Sequence, residues 1–334
     1  MHVQLMSWFL NFRSKLKKCI ISRLGYLSDQ KERSLVVCTS PFQAIIVQRI
    51  FHEGYLSDFD LLFVTEFDSA KHRHYFAQTA LLAEKSLYLY IKKRKNSLQF
   101  LNLFFNTLNF TRYNRVFISI IVPWYMRFIL ELHRDAVMVS FDDGWGNILE
   151  RGRRLLELES EYDQLHAKYF DIPIERYLMR SVKHFTFEDR YPCMFPNAEL
   201  VSISIFRYPP DVARSRGEGI AVVAGHPTNG SRILATAERF TQSVSYIYYV
   251  PHPREEVHES LTPEIEVIRT DKIIEEVIID LLKESKDIML IAGRSTSLLT
   301  LGEINIRKIY IIDDEDDGFI ELALHAGCEI VRSD

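Results

Sequence analysis

The chain has 334 residues, of which 47% are hydrophobic and 26% are charged, so its length suits about two domains with packed cores. A formal net charge of −4 argues against a general nucleic-acid binder, because such proteins need a basic surface. The four cysteines lie far apart without metal-ligand spacing, which disfavours a zinc module and is typical of free thiols in the cytoplasm.

Residues 1–30 are predicted to form a basic amphipathic helix. Five cations between Arg13 and Arg23 are interspersed with aromatic and aliphatic residues. They follow the apolar segment and precede no small-residue cleavage site, so a secretory signal is not indicated. No apolar stretch approaches the ~20 residues needed to cross a bilayer. The pattern favours contact with the anionic inner face of the cytoplasmic membrane, and packing on the protein body or on a second subunit is the alternative.

Strand-like and helix-like segments alternate after this leader, which predicts an α/β fold with parallel sheets. In the first half we predict strands over 34–38, 59–65, 115–121 and 135–141, and helices over 41–53, 70–91 and 123–133.

The second half repeats the alternation. We predict strands over 218–225, 244–250, 265–270, 287–293 and 307–313, and helices over 231–240, 271–285 and from 295 onward. Prolines, glycines and charges over 206–217 are typical of a linker, which predicts one domain over 31–210 and another over 211–334.

Three polar motifs follow predicted strands, and open α/β sheets bind ligands at the carboxyl ends of their strands. The first motif is Asp142-Asp143-Gly144. Two adjacent carboxylates before a glycine form a turn that can aim one acid into a cleft as a general base. An ordinary turn is the alternative, because aspartate and glycine are common turn residues.

The second motif is His252-Pro253-Arg254, directly after an apolar strand. A histidine there can donate a hydrogen bond or a proton to a phosphate oxygen, and Pro253 fixes the loop. His226-Pro227 occupies an equivalent strand-end position, and a surface histidine is the alternative interpretation of either dipeptide.

The third motif begins at Gly293 and places Ser295, Thr296 and Ser297 at the start of a helix. Hydroxyls and free backbone N–H groups at such a position suit a phosphate, and simple helix capping is the alternative. The Walker and dinucleotide-binding glycine patterns are absent from the sequence, which disfavours an ATPase and a dinucleotide oxidoreductase. The acidic run 314–317 is interpreted as a solvated turn.

Taken in order, these motifs and the opening Cys-Thr-Ser-Pro-Phe-Gln at 38–43 resemble the bacterial sialyltransferases of glycosyltransferase family 52. The resemblance covers about residues 34–330. It implies a GT-B-type architecture, in which two Rossmann-like domains face a central cleft and no metal ion or cofactor is needed. CMP-sialic acid is the implied donor.

The resemblance also implies roles for residues. An acid of the Asp142-Asp143 pair would deprotonate the acceptor, with Asp143 favoured because it adjoins the glycine, and His252 would stabilise or protonate the departing CMP phosphate. A family alternative places the base on the loop over 225–230, which here contains no carboxylate. The implied substrate-binding residues are Gly144, Pro253, Arg254, Gly293, Ser295, Thr296, Ser297 and Gly225, with Thr39, Ser40 and Gln43 on the acceptor side.

The resulting expectation is an inverting transfer of sialic acid to a galactose-terminated lipooligosaccharide or capsule glycan. The alternatives are a family-52-like glucosyltransferase that uses a UDP-sugar, a CDP-alcohol or sugar-phosphate transferase, and a non-catalytic scaffold of glycan export. The expected partners are a nucleotide-sugar donor, a glycan or glycolipid acceptor and the inner-membrane surface, with no nucleic acid. The expected location is the cytoplasm, and the aromatic stretch 98–110 or the leader helix is a candidate homodimer contact.

Overall fold

The computed structural model describes residues 33–91, 113–144, 146–147, 174–191, 193–206, 219–253, 255, 265–283, 287–302, 304, 306–312 and 319–333. The predicted leader helix, the aromatic stretch 98–110, Arg254, the acidic run 314–317 and the proposed boundary at 210–211 all lie outside these residues.

The first domain is built on a seven-stranded sheet in which every pairing is parallel. Its strands are β1 (Ser34–Cys38), β2 (Phe59–Thr65), β3 (Lys85–Tyr90), β4 (Arg115–Ile118), β5 (Val137–Phe141), β6 (Ser181–Thr186) and β7 (Glu199–Ser202), in the order β3-β2-β1-β4-β5-β6-β7. The helices are α1 (Pro41–His52), α2 (Ala70–Ala80), α3 (Trp124–Leu132) and α4 (Glu175–Leu178). Alternate residues of β1 enter separate cores on the two faces of the sheet, which explains its continuous apolar run.

The second domain has a six-stranded sheet, also parallel throughout. Its strands are β8 (Ile220–Ala224), β9 (Tyr246–Val250), β10 (Ile265–Val267), β11 (Ile288–Ala292), β12 (Arg307–Ile312) and β13 (Glu329–Arg332), in the order β10-β9-β8-β11-β12-β13. The helices are α5 (Gly230–Ala237), α6 (Ile274–Lys283), α7 (Ser297–Thr300) and α8 (Phe319–His325), with a 3₁₀-helix over Glu238–Ser243. The prediction of parallel sheets in an α/β fold is confirmed.

Both sheets reverse their strand order beside their first strand. The chain moves outward from β1 to β2 and β3 and then crosses to β4, and it repeats this course around β8. The crevice at the carboxyl ends of the strands is widest for ligands at such a reversal. The second and third motifs follow β9 and β11, which flank β8 at the reversal of the second sheet. The first motif follows β5, one strand beyond the reversal between β1 and β4.

Several elements differ from the sequence prediction. The helix predicted over 70–91 is wrong in its second half, because α2 ends at Ala80 and β3 follows after a short turn. Only Leu89 of β3 is buried, as suits a strand at the sheet edge. Residues 87–90 are leucines and tyrosines, and so short an apolar run does not by itself distinguish a strand from the end of a helix. Strands β6, β7 and β13 and helices α4 and α8 were not predicted.

The two domains contact each other through hydrogen bonds. The hydroxyl of Tyr75 on α2 donates to Glu276 on α6 and accepts the backbone N–H of Ile273 at 2.9 Å. In a second contact, the Tyr191 hydroxyl hydrogen bonds with Nδ1 of His325 on α8. Within the described ranges, none of the helices has the length and apolar character needed to cross a membrane.

Candidate active site

A cavity of about 470 Å³ lies between the two domains at the carboxyl ends of their strands. The first domain lines it with the start of α1, with Lys71 and with the Asp143-Gly144 turn. The second domain contributes the two His-Pro dipeptides, Glu275 and the segment 294–297. The structure therefore brings Asp143 and His252, which are more than a hundred residues apart in sequence, to one shared cavity.

The side chain of Gln43 holds the carboxylate of Asp143. The Thr39 N–H donates to Oε1 of Gln43 at 2.6 Å, and Nε2 of Gln43 donates to Oδ1 of Asp143 at 2.5 Å. Because a backbone N–H can only donate, the amide oxygen must face Thr39 and the NH₂ group must face Asp143. Both residues were predicted to bind the acceptor, but neither lines the cavity, and Gln43 is fully buried. Ser40 does line it, and its hydroxyl also caps α1.

Asp142 points away from the cavity into the first domain. Its Oδ1 lies 3.0 Å from Nε2 of His184, and its Oδ2 accepts the backbone N–H of Phe187 at 2.9 Å. The other ring nitrogen of His184 is 2.9 Å from the Ser140 hydroxyl. Both oxygens of Asp142 are thus occupied by an interior network, whereas Asp143 reaches the cavity. This geometry disfavours Asp142 as the acceptor base and assigns it to anchoring the turn.

The glycine of the acidic turn lies directly against the third motif. Gly144 has φ +66°, and a Cβ at this position would overlap Oγ1 of Thr296. Ser295 and Ser297 share a hydrogen bond of 2.7 Å between their hydroxyls, and all three hydroxyl residues line the cavity. Gly144 is therefore required for the close approach of the two domains.

Gly293, predicted to bind substrate, does not line the cavity. A Cβ at this position would lie 2.8 Å from Cδ1 of Ile233 on α5. Its small size lets the sheet and helix α5 pack closely, and this packing accounts for the glycine without a ligand.

The backbone of His252 is fixed by a carboxylate three residues later. Glu255 accepts the His252 N–H through Oε2 at 3.1 Å and the Tyr249 hydroxyl through Oε1. A Cβ on Gly225 would overlap Oε2 of Glu255, so this glycine makes room for the carboxylate. Gly225 and Pro253 line the cavity beside His252. The contacts of Glu255 were not predicted from the sequence.

Two further ionisable residues of the cavity were not predicted. Burial raises the pKa of the Glu275 carboxyl to about 7, although the Thr300 hydroxyl donates to its Oε1 at 3.1 Å. Burial also lowers the pKa of Lys71, against the opposing attraction of Glu275 across the cleft. No sequence signal marks either residue, because each resembles an ordinary charged residue of a surface helix. Among the described residues, no three His, Cys, Asp or Glu side chains are grouped as a metal site would require.

The profile of glycosyltransferase family 52 matches residues 57–316, which is most of the chain. The chain belongs to glycosyltransferase family 52. This family-52 protein is thus a glycosyltransferase, and such an enzyme takes a nucleotide-sugar donor and a glycan acceptor.

The family-52 enzyme is similar to a curated protein of Pasteurella multocida strain Pm70, the CMP-N-acetylneuraminate:beta-galactoside alpha-2,3-sialyltransferase. The two are 22% identical over 260 residues, which cover 74% of this chain and 80% of the relative. Among solved structures, it aligns with a UDP-N-acetylglucosamine 2-epimerase at a TM-score of 0.50 and 10% identity, covering 91% of this chain and 84% of the epimerase. MurG of Acinetobacter baumannii aligns at a TM-score of 0.44 and 7% identity, covering 91% and 86%. The GT-B-type arrangement of two domains is confirmed.

Proposed function

We propose that this family-52 glycosyltransferase moves sialic acid from CMP-sialic acid to a galactose-terminated glycan of lipooligosaccharide or capsule, with inversion. One observation carries the proposal: an acid of one domain and a histidine of the other line the same cavity. The similarity to a sialyltransferase supports the choice of donor. Action at the inner face of the cytoplasmic membrane, and pairing of two chains, belong to the same proposal.

The proposed reaction is a single displacement. Asp143 accepts the proton of the acceptor hydroxyl while the hydroxyl oxygen forms a bond to the anomeric carbon. The bond from that carbon to the phosphate oxygen breaks, and CMP leaves with the bonding electron pair. His252 donates a hydrogen bond or a proton to the departing phosphate, where negative charge develops. Attack on the face opposite the leaving group inverts the anomeric centre.

The remaining residues hold the substrates. The hydroxyls of Ser295, Thr296 and Ser297 lie on the cavity wall of the second domain, where they suit the phosphate or the sialic carboxylate. Gly225 and Pro253 shape the wall beside His252, and Ser40 lies on the opposite side, where we place the acceptor. None of these roles requires a metal ion, and the proposal therefore includes none.

A donor panel tests this proposal. Purified enzyme is incubated with a galactose-terminated acceptor and CMP-sialic acid, a UDP-sugar or a CDP-alcohol, each with and without EDTA. We expect CMP release from CMP-sialic acid alone, unchanged by the chelator. Turnover of a UDP-sugar or CDP-alcohol instead would identify one of the alternative transferases. No turnover of any donor, together with no rise of the melting temperature on addition of CMP, would support a scaffold.

Two variants test the residue assignments. His252→Ala should lower kcat by about 10²–10³-fold, which is typical for loss of one preorganised donor, while CMP still raises the melting temperature. Asp143→Asn should lower kcat by about 10²–10⁴-fold, because the variant cannot accept the proton. Full activity in either variant would remove that residue from the mechanism.

A further inference from the structure

The dipeptide His226-Pro227 is not used by the mechanism above, although its position matches that of His252-Pro253. Strands β8 and β9 pair in parallel, and Ala224 faces Val250 at the end of the ladder. Each histidine comes two residues after that pair, and both histidines line the cavity. The sheet therefore presents two imidazoles side by side at its carboxyl edge.

The loop after β8 determines which nitrogen of His226 carries the proton. Nδ1 lies 3.2 Å from the backbone nitrogen of Asn229, 3.4 Å from that of Thr228 and 3.3 Å from the Thr228 hydroxyl. Backbone N–H groups can only donate, so Nδ1 must be the acceptor. A neutral imidazole has one donor and one acceptor nitrogen, which places the proton on Nε2.

The opposite edge of the ring faces the third motif. Cδ2 of His226, which is bonded to Nε2, lies 4.0 Å from the position that a Cβ on Gly293 would take. Gly293 leads into the segment 294–297 that lines the cavity. The Cδ2–Nε2 side of the ring thus lies beside the backbone that leads into the third motif, and the Nδ1 edge faces its own loop.

We infer that His226 is a fixed N–H donor to an anionic oxygen of the nucleotide-sugar, beside His252. This inference rests on the proposed function, since CMP-sialic acid carries a phosphate and a carboxylate that can accept the bond. The same geometry prevents His226 from acting as the acceptor base, because its lone pair on Nδ1 is engaged by the loop. His226 is a donor-binding residue, and the proton of the acceptor goes to Asp143.

Two substitutions separate cavity binding from loop structure. In His226→Gln the amide can place an N–H near the position of Nε2, whereas in His226→Asn the amide oxygen can replace Nδ1 toward the loop. His226→Asn loses the hydrogen bond to a charged oxygen, so we expect it to weaken CMP-sialic acid binding by about 10- to 100-fold. His226→Gln should stay within about threefold of wild type. The opposite order of the two variants would show a role in the loop alone and overturn the inference.

Calorimetric titration without acceptor distinguishes the anion. Weaker binding of CMP itself to His226→Asn identifies the phosphate as the partner, whereas a loss confined to CMP-sialic acid identifies the carboxylate. Wild-type enzyme that binds neither ligand would contradict the proposed function and the inference together. Wild-type binding with the two variants in the opposite order contradicts the inference alone.

The tautomer is a readout that does not depend on the donor. Long-range ¹H–¹⁵N spectra of histidine-labelled enzyme should show His226 as the Nε2–H tautomer near neutral pH, with the signal assigned by its absence in His226→Asn. A proton on Nδ1, or a cationic ring, would be incompatible with the loop contacts and would overturn the assignment.

Discussion

Replacement of Gly144 by alanine tests the contact between the acidic turn and the third motif. The substitution has two separate costs. A non-glycine residue at φ +66° costs about 1–2 kcal/mol. The new methyl carbon would also lie 3.3 Å from Cβ and Cγ2 of Thr296 and would overlap its Oγ1, and overpacking of this kind costs about 1–3 kcal/mol. We therefore expect Gly144→Ala to lower the free energy of unfolding by about 2–5 kcal/mol.

A matched control separates these costs. Gly54 has φ +81°, and a Cβ there would meet nothing within 4 Å, so Gly54→Ala reports the backbone cost alone. The excess of Gly144→Ala over Gly54→Ala should then disappear when Thr296→Ala removes Oγ1 and Cγ2. Urea unfolding of Gly144→Ala, Thr296→Ala and the double variant gives the coupling free energy between the two positions, expected at about 1–3 kcal/mol. Equal losses in Gly144→Ala and Gly54→Ala, or no rescue by Thr296→Ala, would refute the contact between the domains.

Two other predictions concern buried groups of the site. Gln43→Leu removes the N–H donor that orients Asp143, so kcat should fall by about tenfold while CMP affinity is unchanged, and an unchanged kcat would contradict the positioning role. Burial raises the pKa of Glu275 to about 7, whereas the carboxyl of the unfolded chain loses its proton near pH ~4.5. Between these two values only the folded protein holds the proton, so its free energy of unfolding falls as the pH rises toward about 7. Urea unfolding at pH 5 and pH 8 should show this loss, on the order of 3 kcal/mol, in the wild type and not in Glu275→Gln. The same loss in both proteins would show that Glu275 is not its source.

The central strands were predictable because they are buried on both faces. Strands β1, β8 and β11 are short continuous apolar runs, and parallel strands between two layers require this composition. Strand β6 lacks such an apolar run, because its buried residues include Ser181 and His184. These two side chains belong to the hydrogen-bond network that holds Asp142. Their burial depends on partners distant in sequence, so no local pattern reveals the strand.

The location of the site was predictable, whereas the direction of its side chains was not. The ends of parallel strands meet at one edge of a sheet, so motifs that follow strands converge. Asp142 and Asp143 are adjacent in sequence and point in different directions. His184 takes one of them inward, and Gln43 holds the other at the cavity. These partners belong to β6 and α1, and only the assembled domain places them beside the turn.

The contact between Gly144 and Thr296 also ties the proposed catalytic groups to the arrangement of the two domains. The proposed base follows β5 of the first sheet, and the proposed phosphate ligands follow β9 and β11 of the second. The acidic turn of the first domain packs directly against the third motif of the second domain. This contact therefore helps to set the distance between the proposed base and the leaving group. A shift of about 1 Å between reacting groups can cost on the order of 100-fold in rate. Changes that loosen this contact should therefore reduce turnover before they unfold either domain.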